Sequence, residues 1–329
     1  MNNKFYSVAY TAAGQSHLTY CKECEDSVYY AKDRGDGICA IALSDGAGSA
    51  LYALEGAKTT ARAAAEYLRE YFDELYNMED EECERDLLLH VRRELFKKAK
   101  KIGCDMSELS STLLACGMDI KGRTLLFHIG DGLMIGLFKN NKARVLSAYD
   151  HKYMNVTNFC TSCDTKCQVN RSELLEGILM TSDGAENYLT NSKCELTLYG
   201  QMLMKKAFLA SQENLRMEFA AFDEKIRILG MNDDCSFITL TRTSSIHDVF
   251  YKLSPSEKKL ILGSYFKHDL KIAELLYEIE KTGSIDIRKA TRFLHTHKRR
   301  NTLRRLSVLM ENGALLYKNG YLVLSSKQA

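Results

Sequence analysis

The chain has 329 residues, of which 45% are hydrophobic and 27% charged, with a formal net charge of +2. That length allows two domains, or one large domain with an appendage, and a single proline with an ordinary composition speaks against long disordered linkers. No apolar stretch approaches the length of a membrane span, and the first seven residues lack the apolar core of a secretory signal, so a cytoplasmic protein without a membrane partner is expected.

Residues 5–13 and 26–32 alternate and are rich in strand formers. An apolar run from Ile38 to Leu43 then ends in Ser44-Asp45-Gly46-Ala47-Gly48, and a long amphipathic helix is predicted over 49–76. A second helical pattern covers about 80–101 and stops at Gly103. From Ser110 the period shortens to that of strands. Four segments beginning at Ser111, Arg123, Leu133 and Ala143 are separated by Lys121-Gly122, Asp131-Gly132 and Asn140-Asn141, which predicts an antiparallel meander joined by hairpin turns. A polar insertion follows over 150–171, then a strand into Thr181-Ser182-Asp183-Gly184. Helices over about 198–211 and 212–229 and a strand from Cys235 to Leu240 complete the region. Helix pair, strands, helix pair and strand predict an antiparallel β core covered by helices, an α+β fold.

Eleven cysteines without a framework read as reduced thiols, mostly buried. Cys160, Cys163 and Cys167 are spaced for metal, but a closed structural zinc site needs a fourth ligand and none lies nearby, so a cysteine-bearing loop is the simpler expectation.

Acidic residues punctuate the strand ends at Glu25-Asp26, Asp45, Gly130-Asp131-Gly132, Asp183 and Asp233-Asp234. An Asp-Gly after one strand is ordinarily just a turn. Five such places able to converge on one edge would be costly unless cations neutralise them. A carboxylate beside a bare carbonyl, as at Asp45-Gly46, suits a hard divalent cation. Two such ions sharing a carboxylate could bind phosphate oxygens and acidify a bridging water.

The ordered set Glu25-Asp26-Ser27, Ser44-Asp45-Gly46-Ala47-Gly48-Ser49, Ser111-Thr112, Gly130-Asp131-Gly132, Thr181-Ser182-Asp183-Gly184 and Asp233-Asp234 resembles the metal-dependent PP2C-type protein serine/threonine phosphatases over roughly residues 5–242. Gly14-x-Ser16-His17 and Asn155-x-Thr157 are similar to its bacterial branch. The resemblance implies a β-sandwich flanked by helix pairs and hydrolysis of phosphoserine and phosphothreonine by a metal-bridging hydroxide, with two Mn2+ or Mg2+ ions. By position, Asp45 would bridge the ions and the Gly46 carbonyl would bind one of them. Asp183 and Asp233 would hold the other, and Asp26, with Glu25, would act through metal-bound water. Asp131 would share a weaker third ion with Asp183, and the 150–171 insertion would match a flap over the cleft. Phosphorylated proteins and a cognate serine/threonine kinase are the implied partners.

Two departures stand out. Cys21 occupies the place where many members grip the phosphate with arginine, leaving Lys22 or His17 as substitutes, although lysine lacks the bidentate guanidinium fork. Ala47 stands where many eukaryotic members carry a histidine. Asp234, by contrast, is expected to serve a turn or support its neighbours rather than bind metal, and His17 to be a hydrogen-bonded structural residue.

The charge is uneven. Residues 246–329 hold 16 basic against 8 acidic residues, leaving 29 against 35 for residues 1–245, and Ser244 to Pro255 reads as a joint between domains 1–245 and 246–329. Helical patterns at about 256–265, 269–281, 286–297 and 298–311, then a hairpin over 314–324 turning at Asn319-Gly320, predict a small winged-helix-like module. Lys298, Arg299, Arg300, Arg304 and Arg305 would contact DNA, a protein partner or the acidic phosphatase half. Two functions follow: an active phosphatase with a targeting or regulatory module, or a catalytically weak regulator acting through that module.

Overall fold

Strand β3 shows how this chain builds layers. Its residues alternate between two apolar environments: Cys39, Ile41 and Leu43 face a second sheet, while Ala40 and Ala42 face helices. Small alanines on the helical side let the helix backbone approach, and larger side chains fill the space between sheets. The computed structural model describes residues 5–148, 157–209 and 212–242, and between 275 and 324 the residues 275–276, 278–279, 282–294, 303–304, 306–307, 309–310 and 315–324.

In chain order the elements are β1 (Phe5–Ala12), α1 (Gln15–Thr19), β2 (Ser27–Ala31), β3 (Ile38–Ser44), α2 (Ala53–Glu70), α3 (Phe72–Asn77) and α4 (Asp80–Ile102). Next come β4 (Leu113–Asp119), β5 (Thr124–Ile129), β6 (Leu133–Phe138), β7 (Ala143–Ala148), β8 (Gln168–Ser172) and β9 (Leu175–Thr181). Helices α5 (Asp183–Leu189), α6 (Leu198–Leu209) and α7 (Gln212–Ile228) precede β10 (Cys235–Arg242). One antiparallel sheet has the order β2-β3-β4-β5-β8 and the other β1-β10-β9-β6-β7. Helices α2 and α4 cover the first sheet, and α5, α6 and α7 the second. The result is the expected α+β sandwich with a helical layer on each face.

Three expectations need correction. The helix predicted over 49–76 is two helices. Residues 48–52 form turns held by Glu108, whose carboxylate accepts from Leu51 N–H and whose carbonyl accepts from Tyr52 N–H, and Tyr71 leaves helical geometry at φ −111°, ψ 26°. The four-strand meander is two hairpins in different sheets: β4 pairs with β5, β6 with β7, and the chain crosses between sheets at Gly130-Asp131-Gly132. Both glycines have positive φ, +91° and +98°, which lets the chain change layers within three residues. Finally, the polar insertion contains β8, an edge strand paired with β5.

Toward the C-terminus, a short strand β11 (Ile285–Asp286) leads into helix α8 (Ile287–Phe293), capped by the Asp286 carboxylate accepting from Lys289 N–H at 2.8 Å. The hairpin β12 (Leu315–Lys318) and β13 (Tyr321–Leu324) turns at Asn319-Gly320 as expected, and β11 joins it in the order β11-β13-β12. Leu276, Ile279, Leu306, Leu309 and Leu322 belong to the same apolar cluster as Leu203, Phe208 and Phe219 of α6 and α7. The joint at 244–255, the helical pattern at 256–265, and Lys298, Arg299, Arg300 and Arg305 lie outside the described residues.

Candidate active site

Strand register brings the acidic turns together. Ser27 at the start of β2 pairs with Ser44 at the end of β3, so Asp26 and Asp45 meet at one edge. Leu43 faces Leu114, and Leu113 faces Ile129, which carries the same edge to the crossing at Asp131. On the second sheet Thr181 faces both Leu133 and Phe237, so Asp131, Asp183 and the Asp233-Asp234 turn share its corresponding edge. Five turns far apart in sequence therefore end in one place.

Close backbone contact holds these turns together. A Cβ on Gly184 would stand 2.2 Å from the Asp234 carbonyl oxygen, so only glycine lets the start of α5 sit against the start of β10. Asp45 and Thr112 exchange two bonds: Thr112 N–H donates to the Asp45 carbonyl at 2.8 Å, and Asp45 N–H donates to Thr112 Oγ1 at 3.0 Å. Thr112 thus supports the strand end. Gly46 N–H donates to the Glu25 carbonyl, tying the β3 exit to the β2 approach.

The electrostatics are those of crowded anions. Asp26 is 4% exposed, and neither of its carboxylate oxygens makes a well-formed hydrogen bond among the described residues. Burial pushes its carboxyl above the usual range, as does Asp234, while the nearby Ser236 and Ser182 hydroxyls offset this in part. Burial likewise raises Asp45, followed by the charges of Asp26, Asp183, Asp131 and Asp233. Asp183 is raised by burial and then by Asp131, Asp233 and Asp26, and Asp131 chiefly by burial. Each carboxylate is thus a burden to the others.

Such a set fits a hard cation. All donors are oxygen, and among the described residues the buried Asp26 oxygens and Asp183 Oδ1 have no well-formed hydrogen bond. Among the described residues no three His, Cys, Asp or Glu side chains stand close enough to enclose an ion by themselves, so carbonyl and water oxygens would complete any coordination shell. That division of labour is ordinary for Mg2+, which keeps several waters.

Asp234 organises the N-terminal approach. Its Oδ1 accepts from Gly14 N–H at 2.6 Å and faces His17 Nδ1 at 2.9 Å, and its Oδ2 accepts from Glu25 N–H at 2.6 Å. His17 also points Nε2 at Glu25, 3.6 Å away, and Lys22 Nζ lies 3.5 Å from the same carboxylate. Both candidate phosphate cations therefore already face acids. Cys21, in the place of an arginine, is exposed at φ +54°.

The described part of the insertion is tied down over this edge. Thr157 Oγ1 donates to Asp131 Oδ2 at 3.1 Å, and Cys160 N–H donates to the Ser111 carbonyl. Arg92 of α4 reaches the Cys160 and Ser162 carbonyls at 2.8 and 2.6 Å. Cys160 and Cys167 pack in the apolar layer of α4, while Cys163 is exposed. Asn155 lies outside the described residues, and Arg304 is exposed in the C-terminal segment. Sequence reasoning missed Glu186, a buried carboxyl on the first turn of α5. Burial and the charge of Asp131 push it up to about 7. Its position three residues past Asp183, one helical turn along, was the available signal.

A family model described as protein phosphatase 2C matches residues 13–217. The chain belongs to the protein phosphatase 2C family. It is accordingly a protein serine/threonine phosphatase, of a metal-dependent family that acts on phosphorylated proteins. Among solved structures, an arginine-to-lysine variant of a bacterial serine phosphatase superposes with a TM-score of 0.51 at 13% identity, covering 72% of this chain and 98% of its own. A serine/threonine phosphatase of S. agalactiae gives 0.48 at 14%, covering 72% and 99%, and RsbX in complex with magnesium gives 0.44 at 12%, covering 74% and 97%. At 13% identity the first of these shows a shared fold alone. No curated protein matches the sequence. No helix among the described residues is long and apolar enough to cross a membrane.

Proposed function

We propose that residues 1–245 of this PP2C phosphatase hydrolyse phosphoserine and phosphothreonine in proteins with two Mn2+ or Mg2+ ions held at the acidic edge. The carrying observation is the meeting of Asp26, Asp45, Asp131 and Asp183, each raised by burial and most by its neighbours, an arrangement that cations would relieve. Asp45 and the Gly46 carbonyl would hold one ion, with Asp45 shared by a second held by Asp183 and Asp233. Asp26 would orient water beside them, and Asp131 with Asp183 would take a weaker third. What such ions supply when bound is acidification of water and polarisation of the phosphoryl oxygens. The chain's own contribution is geometric: Thr112 fixes the Asp45 backbone, Thr157 orients Asp131, and Asp234 sets the Glu25-Asp26 approach.

A slower enzyme acting mainly as a regulator is the second possibility, favoured by one observation. Lys22 and His17 both face Glu25, so neither offers an uncommitted cation where arginine is missing. Residues 246–329 would then target or regulate the phosphatase. Docking against the α6–α7 face is supported by the continuous apolar cluster, and DNA contact by the basic stretch at Lys298–Arg305. A cognate kinase would complete the circuit, in the cytoplasm, where eleven free cysteines would stay reduced.

The test is hydrolysis of p-nitrophenyl phosphate and a phosphothreonine peptide with and without Mn2+, comparing the native chain with Asp183→Asn. The expected result is manganese-dependent turnover that the substitution lowers by about 100-fold or more. Equal turnover in the variant, or none in either chain, would remove the metal-centre assignment.

A further inference from the structure

A cleft of about 410 Å³ opens beside the acidic edge, between the segment before β2 and the turns that follow β3. Its walls join the site directly: Glu25 precedes Asp26, and Gly48 lies three residues past Asp45, with Gly46 N–H bonded to the Glu25 carbonyl. The cleft carries Lys22, Glu23, Glu25 and Glu108, with Leu51 and Leu54 as apolar wall. Three carboxylates thus face one lysine, and that lysine already stands against Glu25. Glu23 is exposed and has no cationic partner among the described residues, and Glu108 is only half-buried. One oxygen of Glu108 is held by Leu51 N–H at 2.8 Å, which fixes the carboxylate at the cleft wall. Leu51 itself is 75% exposed, so its side chain is available as apolar surface along the cleft.

We infer that this cleft is the subsite for residues flanking the phosphorylated side chain, and that it selects phosphopeptides with arginine or lysine close to the phosphoserine or phosphothreonine. The inference rests on the phosphatase function proposed above. A phosphopeptide brings its dianion to the acidic edge, where cations would receive it. The adjoining cleft has the opposite character, since Glu23 and Glu108 present negative charge to the ligand. A guanidinium or ammonium group there would pair with fixed carboxylates while its methylene stem lies along Leu51 and Leu54. An acidic flanking residue would meet like charge, so the wall rejects as well as selects.

The experiment uses the full chain with Mn2+ and three phosphothreonine peptides carrying arginine, alanine or glutamate at the positions on either side of the phosphothreonine. Glu23→Gln and Glu108→Gln are compared with the native chain. In the second variant the glutamine amide would still offer an oxygen to Leu51 N–H, so the wall should keep its shape. The native chain is expected to favour the arginine peptide. Each substitution should lower kcat/KM for it about 5-fold, through KM, corresponding to one partly exposed ion pair. Turnover of p-nitrophenyl phosphate, which cannot reach the cleft walls, should not change. Equal kcat/KM for the arginine and glutamate peptides, or an equal loss for all three in the variants, would overturn the subsite. Should the chain hydrolyse nothing, including p-nitrophenyl phosphate, the phosphatase proposal fails by itself. Calorimetric affinities for the three peptides as non-hydrolysable phosphonates then decide the subsite, with tighter binding of the arginine peptide supporting it and equal binding refuting it.

Discussion

Replacing Asp234 by asparagine probes how the candidate site is held without touching a proposed metal ligand. The carboxylate is 4% exposed and meets three donors, two of them backbone N–H groups at 2.6 Å. Asparagine keeps the shape but has only one oxygen. Placed toward Gly14 and His17, that oxygen makes neutral bonds where charged ones stood, and the amide NH2 faces Glu25 N–H donor to donor. A hydrogen bond to a charged group contributes about 1.5–3 kcal/mol and a neutral one about 1 kcal/mol, so the loss comes to about 4 kcal/mol. That is a large share of the about 5–15 kcal/mol that stabilises an ordinary domain. Urea unfolding followed by circular dichroism gives the difference directly. Because Glu25 N–H is one of the released groups, the Asp26 approach should shift too, and Mn2+-dependent turnover should fall by about 10- to 100-fold. A loss under about 1 kcal/mol with unchanged turnover would refute the role assigned to Asp234.

Two further predictions concern the same edge. Asp26, Asp45 and Asp183 hold protons in the folded metal-free chain that the unfolded chain has already released. Their stabilising effect is therefore full below the ordinary carboxylate pKa near 4 and is lost as pH rises through the raised folded values. Metal-free thermal unfolding should accordingly fall in temperature from about pH 5 to pH 8, and Mn2+ at about 100 times its Kd should restore about 2.7 kcal/mol at the upper end. A metal-free melting temperature that is flat or rising across that range would contradict it. Gly184→Ala puts a methyl 2.2 Å from the Asp234 carbonyl and should destabilise the chain by about 1–3 kcal/mol, read from the urea midpoint, whereas a neutral result would mean the two turns are not pressed together.

What the sequence made legible was what depends on local pattern. Strands β3 and β9 announce themselves as apolar runs ending in Asp-Gly, and α4 as a sustained helical period ending at a glycine. The Gly130-Asp131-Gly132 crossing was misread because glycines at positive φ serve a hairpin and a change of layer equally well, and only register tells them apart. Strand β8, Gln-Val-Asn-Arg-Ser, pairs along one edge and carries too little apolar alternation to show. The break at Tyr71 escaped for the opposite reason, since the apolar period continues into Phe72 and Leu75 through the interruption. Within the site, the acidic positions were visible, but the division between Asp233 and Asp234 was supported only by context. Neighbouring carboxylates are chemically alike, and it is the approach of Gly14, His17 and Glu25 that gives Asp234 its separate task.

The pairing of β1 with β10 has a consequence for synthesis. Val8 and Thr239 are linked across 231 positions of sequence, so the first strand of the second sheet waits for the last before it has a partner. On the ribosome, Phe5–Ala12 must stay unpaired while more than two hundred residues follow, and so distant a closure makes for slow, late completion. Asp233 and Asp234 arrive with the same stretch. The phosphatase half is therefore incomplete until residue 242 has been made, and β10 then closes the sheet and brings Asp233 and Asp234 to the acidic edge in a single event.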